Sequence, residues 1–410
     1  MSGPLKGLRV LDMTRILAGP WAGQTFADLG AEVIKIERPD AGDDTRSWGP
    51  PFLPGKDGEE TGDAAYYLSA NRGKASVCVN MASEEGQALI RTLAKDCDIL
   101  LENYKVGGLA KYGLDYESLR EENPGLIYCS ITGFGQTGPY KQRAGYDFMI
   151  QGMGGIMSVT GQPDGTPGAE PMKCGVAFSD LFTSLYSVIG ILAALHSRTE
   201  TGRGQHVDMA LLDSQVAVLA NQALNYLVSG VAPTRLGNAH PNIVPYQAFP
   251  TKDGFMILAI GSNRQLTAFC ATAGLDGVDQ DPRFATHRAR VENRDLLAAI
   301  IADVLETRTT EDWVTLLEPH AVPCGPIATI DEVFANPQVL ARGLAIEQQR
   351  PDGQRIPGVA NPIRLSETPI EYDKAAPALG QDTRDVMRRL AGLDDAEIDR
   401  LIEAGVLGAE

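Results

Sequence analysis

The alternation of short apolar runs with helical patterns between Leu8 and Thr132 most limits what this chain can fold into. Leu8–Asp12 is a short apolar run. Gly19-Pro20 opens a helical stretch, with Pro20 suited to a first turn where no N–H partner is needed, and Gly30 closes it. Ala31–Ile36, Lys74–Asn80, Asp98–Leu101 and Leu126–Thr132 read as further strands. Ser83–Lys95 carries Ala88, Leu89 and Leu93 at helical spacing. Strands alternating with helices predict an α/β fold, a mostly parallel sheet with helices on both faces.

The remainder is organised around that sheet. Polar loops are expected over Pro39–Gly62 and Gly133–Gly145, followed by glycines at Gly152–Gly155 and a Gly/Pro-rich stretch over Gly161–Gly168. The apolar run Leu181–Leu195 is shorter than a membrane span and contains Thr183, Ser184 and Ser187, so it reads as a buried helix. TGRGQHVDMAL reads as a turn and a strand, and Leu212–Leu227 as one helix. The segment from Tyr246 to about Pro326 has its own strand, Phe255–Ile260, and reads as a smaller α+β domain. The expected boundaries are a large domain over residues 1–210 and 330–410, a linker helix over 211–245, and a small domain over 246–329.

Charge limits the partners. A formal net charge of -17 and a pI near 4.8 argue against nucleic acid and anionic membrane surfaces. An anionic ligand must then be met by cations gathered locally. Six cysteines occur with no CxxC pair and no zinc spacing, which suggests reduced thiols in a cytosol-like compartment. The start lacks the apolar stretch of a signal peptide. No HxxxH or HExxH pattern is present, so no metal site is expected.

Several residues invite a chemical reading, each beside a plainer one. TRILAGPWAG is a βα turn whose helix start can hold a phosphate or bind nothing. Lys35, Arg38, Arg72, Lys74, Lys105, Lys111, Lys141 and Arg143 fall after strand ends, where ligands of open α/β sheets bind, or are solvated charges. Asp180 opens the long apolar helix, either as its N-cap or as an ionised nucleophile. Gly152, Gly154 and Gly155 offer N–H groups to an oxyanion, or form a flexible turn. His240, in GNAHPN, is a loop histidine or a substrate contact.

Taken in order, these stretches resemble a known family. GLRVLDMTRILAGPWAGQTFADLGAEVIKIERPDAGDDTRSWGPPF, NRGKASVCVN, LLENYKVGGLAKYGL, SITGFGQTGPYKQRAGYD, GVAFSDLFTSLYSVIGILAAL and TGRGQHVDMALLDSQVA are similar to segments of the family III CoA-transferases. That group includes formyl-CoA transferase, carnitine CoA-transferase and 2-methylacyl-CoA racemase. GDDTRSWGPPF, GNAHPNIVPYQAFPTKDG and FANPQVLARGLA resemble the subgroup that moves CoA from succinyl-CoA to dicarboxylates such as glutarate or itaconate.

The resemblance implies a Rossmann-like large domain built from both ends of the chain, a small domain, and an interlocked homodimer. It implies that Asp180 is the covalent nucleophile and that coenzyme A and its thioesters are substrates. By position it places CoA contacts at Arg38, Asn71, Arg72, Lys74, Asn103, Tyr104 and Lys111, with Arg143 and Asp147 nearby. Arg46, Arg143, Arg235 and His240 are candidates for the far carboxylate of a diacid, and Gly154 and Gly155 for the oxyanion. Formyl-CoA transferases have Gln where Leu17 stands, and the racemases have His where Tyr146 stands. The rival readings are a 2-methylacyl-CoA epimerase, a nicotinamide oxidoreductase, which the lack of GxGxxG opposes, and a non-catalytic CoA-binding protein. A cytosol, or a mitochondrial matrix in a eukaryote, is the expected compartment.

Overall fold

The apolar runs become strands because both of their faces are covered. The computed structural model describes residues 3–55 and 58–409. β1 (Arg9–Asp12), β2 (Glu32–Glu37), β3 (Ala75–Val79), β4 (Ile99–Glu102), β5 (Ile127–Thr132) and β6 (His206–Ala210) lie in one sheet in the order 3-2-1-4-5-6. All six run parallel, and Leu407–Gly408 adds an antiparallel seventh strand beside β3. This is the doubly wound order, in which the order of strand addition reverses between β1 and β4 and leaves a crevice beyond their carboxyl ends.

Successive residues of β1 feed opposite faces of the sheet. Val10 joins Phe26, Val33, Ile99, Val188 and Ile191 in one core, under α1 (Ala18–Asp28). Leu11 joins Ile34, Val77, Leu100, Ile90 and Leu93 in the other. The 39–62 region is less irregular than its composition suggests. It holds a short 3-10 turn at Asp44–Ser47 and a strand pair, Phe52–Pro54 with Glu60–Ala64, before α2 (Ala65–Ala70), and residues 56–57 lie outside the described residues.

α3 (Glu84–Lys95) begins where Ser83 Oγ accepts from Gly86 N at 3.0 Å, with Glu84 and Glu85 in its first turn and Lys95 in its last. Those charges complement the helix dipole. After α4 (Asp147–Met153), α5 (Phe178–Thr201) is longer than the apolar run alone indicated. Among the described residues it is the one helix long and apolar enough to cross a membrane by length and composition. Here Ser184, Val188 and Ile191 are buried against the sheet, and Leu185, Tyr186 and Ile189 are exposed. The expected single helix over 212–227 is two: α6 (Leu211–Ala217) and α7 (Ala220–Ser229), separated where Ala220 takes a φ of 47°.

The chain divides into two compact units. The first holds residues up to Gly155, Cys174–Ala223 and everything from Pro337, and the second holds Ile156–Lys173 and Leu224–Asn336. Within the second, β7 (Tyr246–Thr251) and β8 (Gly254–Ala259) form a hairpin, and β9 (Cys324–Pro326) pairs antiparallel with β8. Phe249, Met256, Leu258, Phe269 and Trp313 fill its core. The Trp313 indole donates to Leu305 O at 2.8 Å, so the ring is buried without an orphaned donor.

Buried ion pairs fix the loops and helix ends around the sheet. Lys74 Nζ spends its three donors on Asp12 (2.8 Å), Pro20 O (2.8 Å) and Asn71 (2.9 Å). Lys35 bonds Asp43 at 2.9 Å and Thr14 O at 2.8 Å. Arg46 lies 3.7 Å above the Tyr67 ring and donates to both Glu37 oxygens and to Asp63. Arg72 binds both oxygens of Asp28 at 2.8 Å. Buried charges are tolerated only with this degree of pairing.

Candidate active site

The crevice between β1 and β4 opens into a cavity of about 320 Å³. Its floor is made by the turn after β1 (Arg15–Ala18), the turn after β4 (Asn103–Val106) and the end of β5. Its wall is the Lys141–Tyr146 segment, and Asp180 reaches it from the first turn of α5. Asn103 ties two of these turns together: its Oδ1 accepts from Arg15 N at 3.0 Å and its Nδ2 donates to Arg15 O at 2.6 Å. Glu102 holds the second turn by accepting from Tyr104 N at 2.7 Å. Next to Arg15, Ile16 stands at a φ of 74°, a left-handed conformation that costs a β-branched residue about 1–3 kcal/mol and that clusters at ligand sites.

A second cavity, about 460 Å³, shares Arg15 and Tyr104 with the first. Arg38, Asn80, Tyr112 and Gly405 are among its other lining residues. Arg38 is half-exposed and 3.1 Å from Asp44. Lys111 is exposed, with its ammonium 4.5 Å from the Tyr112 ring centroid. Arg143 lines the first cavity, with its guanidinium 4.7 Å from the Tyr140 ring centroid. The cations at the first cavity (Arg15, Lys105, Lys141 and Arg143) are the local positive field that an anionic ligand needs in so acidic a chain.

Asp180 differs from every other buried acid in the first unit described above. Asp12, Asp28, Glu37, Asp43 and Asp63 each face a cation, and Glu102, which faces none among the described residues, accepts from Tyr104 N. The Asp180 side chain, 8% exposed, shows no hydrogen bond or salt bridge among the described residues. Burial, and then the charge of Asp147, push its carboxyl up to about 7. Asp180 is not the N-cap of α5. Ala177 holds that place with no side-chain cap, and Asp147 supplies the acceptor, taking Ser179 N at 2.8 Å and Asp180 N at 3.2 Å. Tyr66, edge-on to Trp48 at 5.3 Å, is near enough that the charges of Asp180 and Asp147 add to burial in raising its hydroxyl.

Other expected site residues lie elsewhere. Asn71, Arg72, Lys74 and Arg46 are inside the domain with their donors committed to the pairs described above, because strand and loop carboxylates distant in sequence converge on them. Gly154 and Gly155 do not present free N–H groups: Gly154 N donates to Ile150 O at 2.7 Å, closing α4, and Gly155 N points to Gly152 O at 3.5 Å. Gly154 is needed for a different reason, since a Cβ there would stand 2.3 Å from Gln215 Cγ. In the second unit, Arg235 pairs with Asp164, and His240 Nδ1 accepts from Asn242 N and Ile243 N, both at 3.1 Å. Sequence reasoning passed over Arg15, whose only signal was its place just beyond β1.

The wall of the cavity depends on two glycines that touch. A Cβ on Gly145 would lie 2.5 Å from Gly133 Cα, and one on Gly133 would lie 2.6 Å from Gly145 Cα. Gly145→Ala is therefore expected to push the 133–146 loop away from the end of β5 and displace Tyr146 and Asp147. Turnover should fall roughly 10–100-fold with circular dichroism unchanged, the scale for a shift near 1 Å at a reacting centre. Turnover within twofold of wild type would mean that this contact does not set the site.

Fold and cleft together define an α/β enzyme with a buried, unpaired carboxylate at the strand-order switch point. The chain belongs to CoA-transferase family III, whose family profile matches residues 5–383. A succinate–glutarate CoA-transferase of Agrobacterium fabrum is 53% identical over 391 residues, covering 95% of this chain and 96% of the relative. A succinyl-CoA:glutarate CoA-transferase of Homo sapiens is 44% identical over 404 residues, covering 98% and 90%. A crystal structure of a CAIB/BAIF family protein from Brucella suis superposes with a TM-score of 0.83 at 52% identity, covering 95% of this chain and all of that one. Enzymes of this family take CoA thioesters as substrates.

Proposed function

We propose that this enzyme moves CoA from succinyl-CoA to a dicarboxylate, with glutarate as the first candidate, through covalent intermediates on Asp180. The observation that carries this reading is the unpaired, buried Asp180 carboxylate at a cation-lined cleft. The two glutarate-named relatives supply the donor and acceptor. CoA is read as spanning both cavities, with Arg15, Arg38, Asn103, Tyr104, Lys111 and Arg143 toward its phosphates and pantetheine.

The steps balance without redox change or ATP. An Asp180 oxygen attacks the succinyl thioester carbon, the C–S bond breaks, and CoA leaves as the thiolate, giving a mixed anhydride. The thiolate attacks the aspartyl carbonyl and expels succinate, giving an aspartyl-CoA thioester. The acceptor carboxylate then attacks that carbonyl and releases the thiolate. Attack of the thiolate on the acceptor carbonyl forms the new acyl-CoA and returns the Asp180 carboxylate. Dividing one difficult exchange into such steps is the gain of covalent catalysis. A closed cleft protects the anhydride from water.

The reading includes a large domain built from both ends of the chain, a small domain, with the expected boundaries at 1–210 with 330–410, 211–245 and 246–329 replaced by those of the two compact units, and an interlocked homodimer. The exposed apolar side chains Leu185, Tyr186 and Ile189 on α5, Phe148 on α4 and Val216 on α6 support apolar surface covered by a second copy. Light scattering is expected to give twice the mass of one chain.

The test mixes purified protein and succinyl-CoA with glutarate, itaconate, hydroxymethylglutarate, mesaconate, malate, oxalate or carnitine in separate tubes. A new acyl-CoA from a dicarboxylate, with a hydroxylamine-sensitive adduct at Asp180, is the expected result. The acylation rate should rise with pH through about 7, because only the ionised carboxylate attacks. No transfer to any acid, with exchange of an α-proton of a 2-methylacyl-CoA in deuterated water, would replace this reading by the epimerase.

A further inference from the structure

The residues that hold Asp180 form a cluster that its own chemistry does not require. Asp147 begins α4 and crosses to α5, where one carboxylate oxygen accepts from the N–H groups of Ser179 and Asp180. Its other oxygen accepts from Gln151 Nε2 at 2.7 Å. Gln151 is fully buried, and its Oε1 accepts from Cys174 N at 2.9 Å, in the segment leading to α5. Ser179 Oγ donates to the fully buried Gln215 Oε1 at 2.8 Å, tying α5 to α6. The start of α5 is thus fixed from both flanking helices, and the acceptor at its end is an anion.

That choice of acceptor has an electrostatic consequence. The first turn of a helix offers N–H groups and partial positive charge, which ordinarily stabilise an acid placed there. Asp147 occupies the N–H groups at positions 179 and 180 and sets a negative charge beside the carboxylate. The other ionisable groups around Asp180 are Tyr66 from α2, Tyr146 on the cleft wall, and Arg15, Lys105, Lys141 and Arg143 along the cavity. After burial, Asp147 is the one that acts on the Asp180 charge.

We infer that Asp147 is a positioning residue for acyl transfer, fixing the backbone of Asp180 while destabilising its ionised resting form, so that acylation relieves the repulsion. This rests on the reading of Asp180 as nucleophile. A carboxylate made more basic attacks a thioester faster, and once acylated it carries no charge for Asp147 to oppose. The cleft cations remain available for the ligand. Asp147 serves the reaction through Asp180 and not by touching CoA, which differs from the contact that sequence position implied for it.

Two variants separate charge from capping. Asp147→Asn keeps an oxygen for the N–H groups of 179 and 180 and removes the charge. Asp147→Glu keeps the charge and, one methylene longer, moves the oxygens off those groups. Single-turnover acylation by succinyl-CoA would be followed from pH 5 to 9 as hydroxylamine-sensitive adduct at Asp180. For Asp147→Asn the rising limb should move to lower pH by about one unit, and the plateau rate should fall roughly threefold as basicity is lost. For Asp147→Glu the limb should stay near wild type while the rate falls. An Asp147→Asn enzyme with an unchanged limb and plateau would overturn the inference and leave Asp180 as nucleophile. If Asp147→Asn does not fold, a limb in Asp147→Glu displaced to lower pH as far as a charge loss would take it would also overturn it. Wild-type protein that forms no adduct at Asp180 would instead remove the nucleophile, and the inference with it.

Discussion

Asp180→Ala is expected to abolish CoA transfer, lowering kcat by at least about 10⁴-fold, as loss of a covalent nucleophile does. CoA affinity should stay near wild type, because the cavity cations and the Asn103 clamp are untouched. Asp180→Asn should be as inactive and, at pH 8, more stable than wild type. Burial and Asp147 carry the Asp180 carboxyl from an ordinary 3.8 to about 7. Between those values the folded chain holds the proton more tightly than the unfolded chain, so stability falls as pH rises through that window. Above it the ionised side chain costs on the order of 4 kcal/mol, which the amide does not incur. Calorimetry at pH 8 and near pH 4 checks the sign: the variant should melt higher at pH 8, and its advantage should vanish at the lower pH. Retained turnover in Asp180→Ala would end the assignment. An asparagine variant that melts below wild type at pH 8 would make Asp180 a stabilising side chain.

Arg46→Ala is the second large effect, and it should appear in stability. The side chain is 6% exposed and bridges Glu37 at 2.7 Å and Asp63 at 2.6 Å while stacking on Tyr67. Its removal leaves two buried carboxylates short of a partner, a loss of about 3–5 kcal/mol. Arg46→Met combined with Glu37→Gln should recover part of that, since a neutral pair needs no counter-charge. Thermal unfolding of the single and double variants measures it. A folded Arg46→Ala enzyme with unchanged melting and a raised acceptor KM would return this residue to the substrate site.

The sheet was readable because its strands are buried on both faces: IKI in β2, ILL in β4 and the apolar stretch of β5 stand out against polar loops. The site was readable only in part. Asp180 stood out as an acid opening an apolar helix, but spacing alone favoured a cap, and the resemblance to the family gave it a chemical role. Lys74, Arg72 and Arg46 were misleading for one physical reason. A cation near a strand looks the same in sequence whether it faces solvent or a carboxylate such as Asp12, Asp28 or Glu37 brought beside it by the fold, and Arg72 and Lys74 lie before β3, not beyond a strand end as expected. The α5 boundary was short because the apolar run ends at Leu195, while the helix goes on through the polar residues His196 to Thr201. In the helix, Thr183 and Ser187 satisfy their hydroxyls on carbonyls one turn back, at 2.7 Å each, and the helix continues.

The way the sheet is closed bears on how the protein is made. β3 receives its outer neighbour from Leu407–Gly408, and Ser76 N is bonded by Asp382, 306 positions later in the chain. A ribosome therefore delivers the whole stretch from Asn80 to Val406 while the β3 edge that supports the cleft is still uncovered. Such late, long-range closure slows assembly and leaves a strand edge open to wrong partners in the interval. Synthesis rate and chaperone supply then bear on how much active protein a cell obtains.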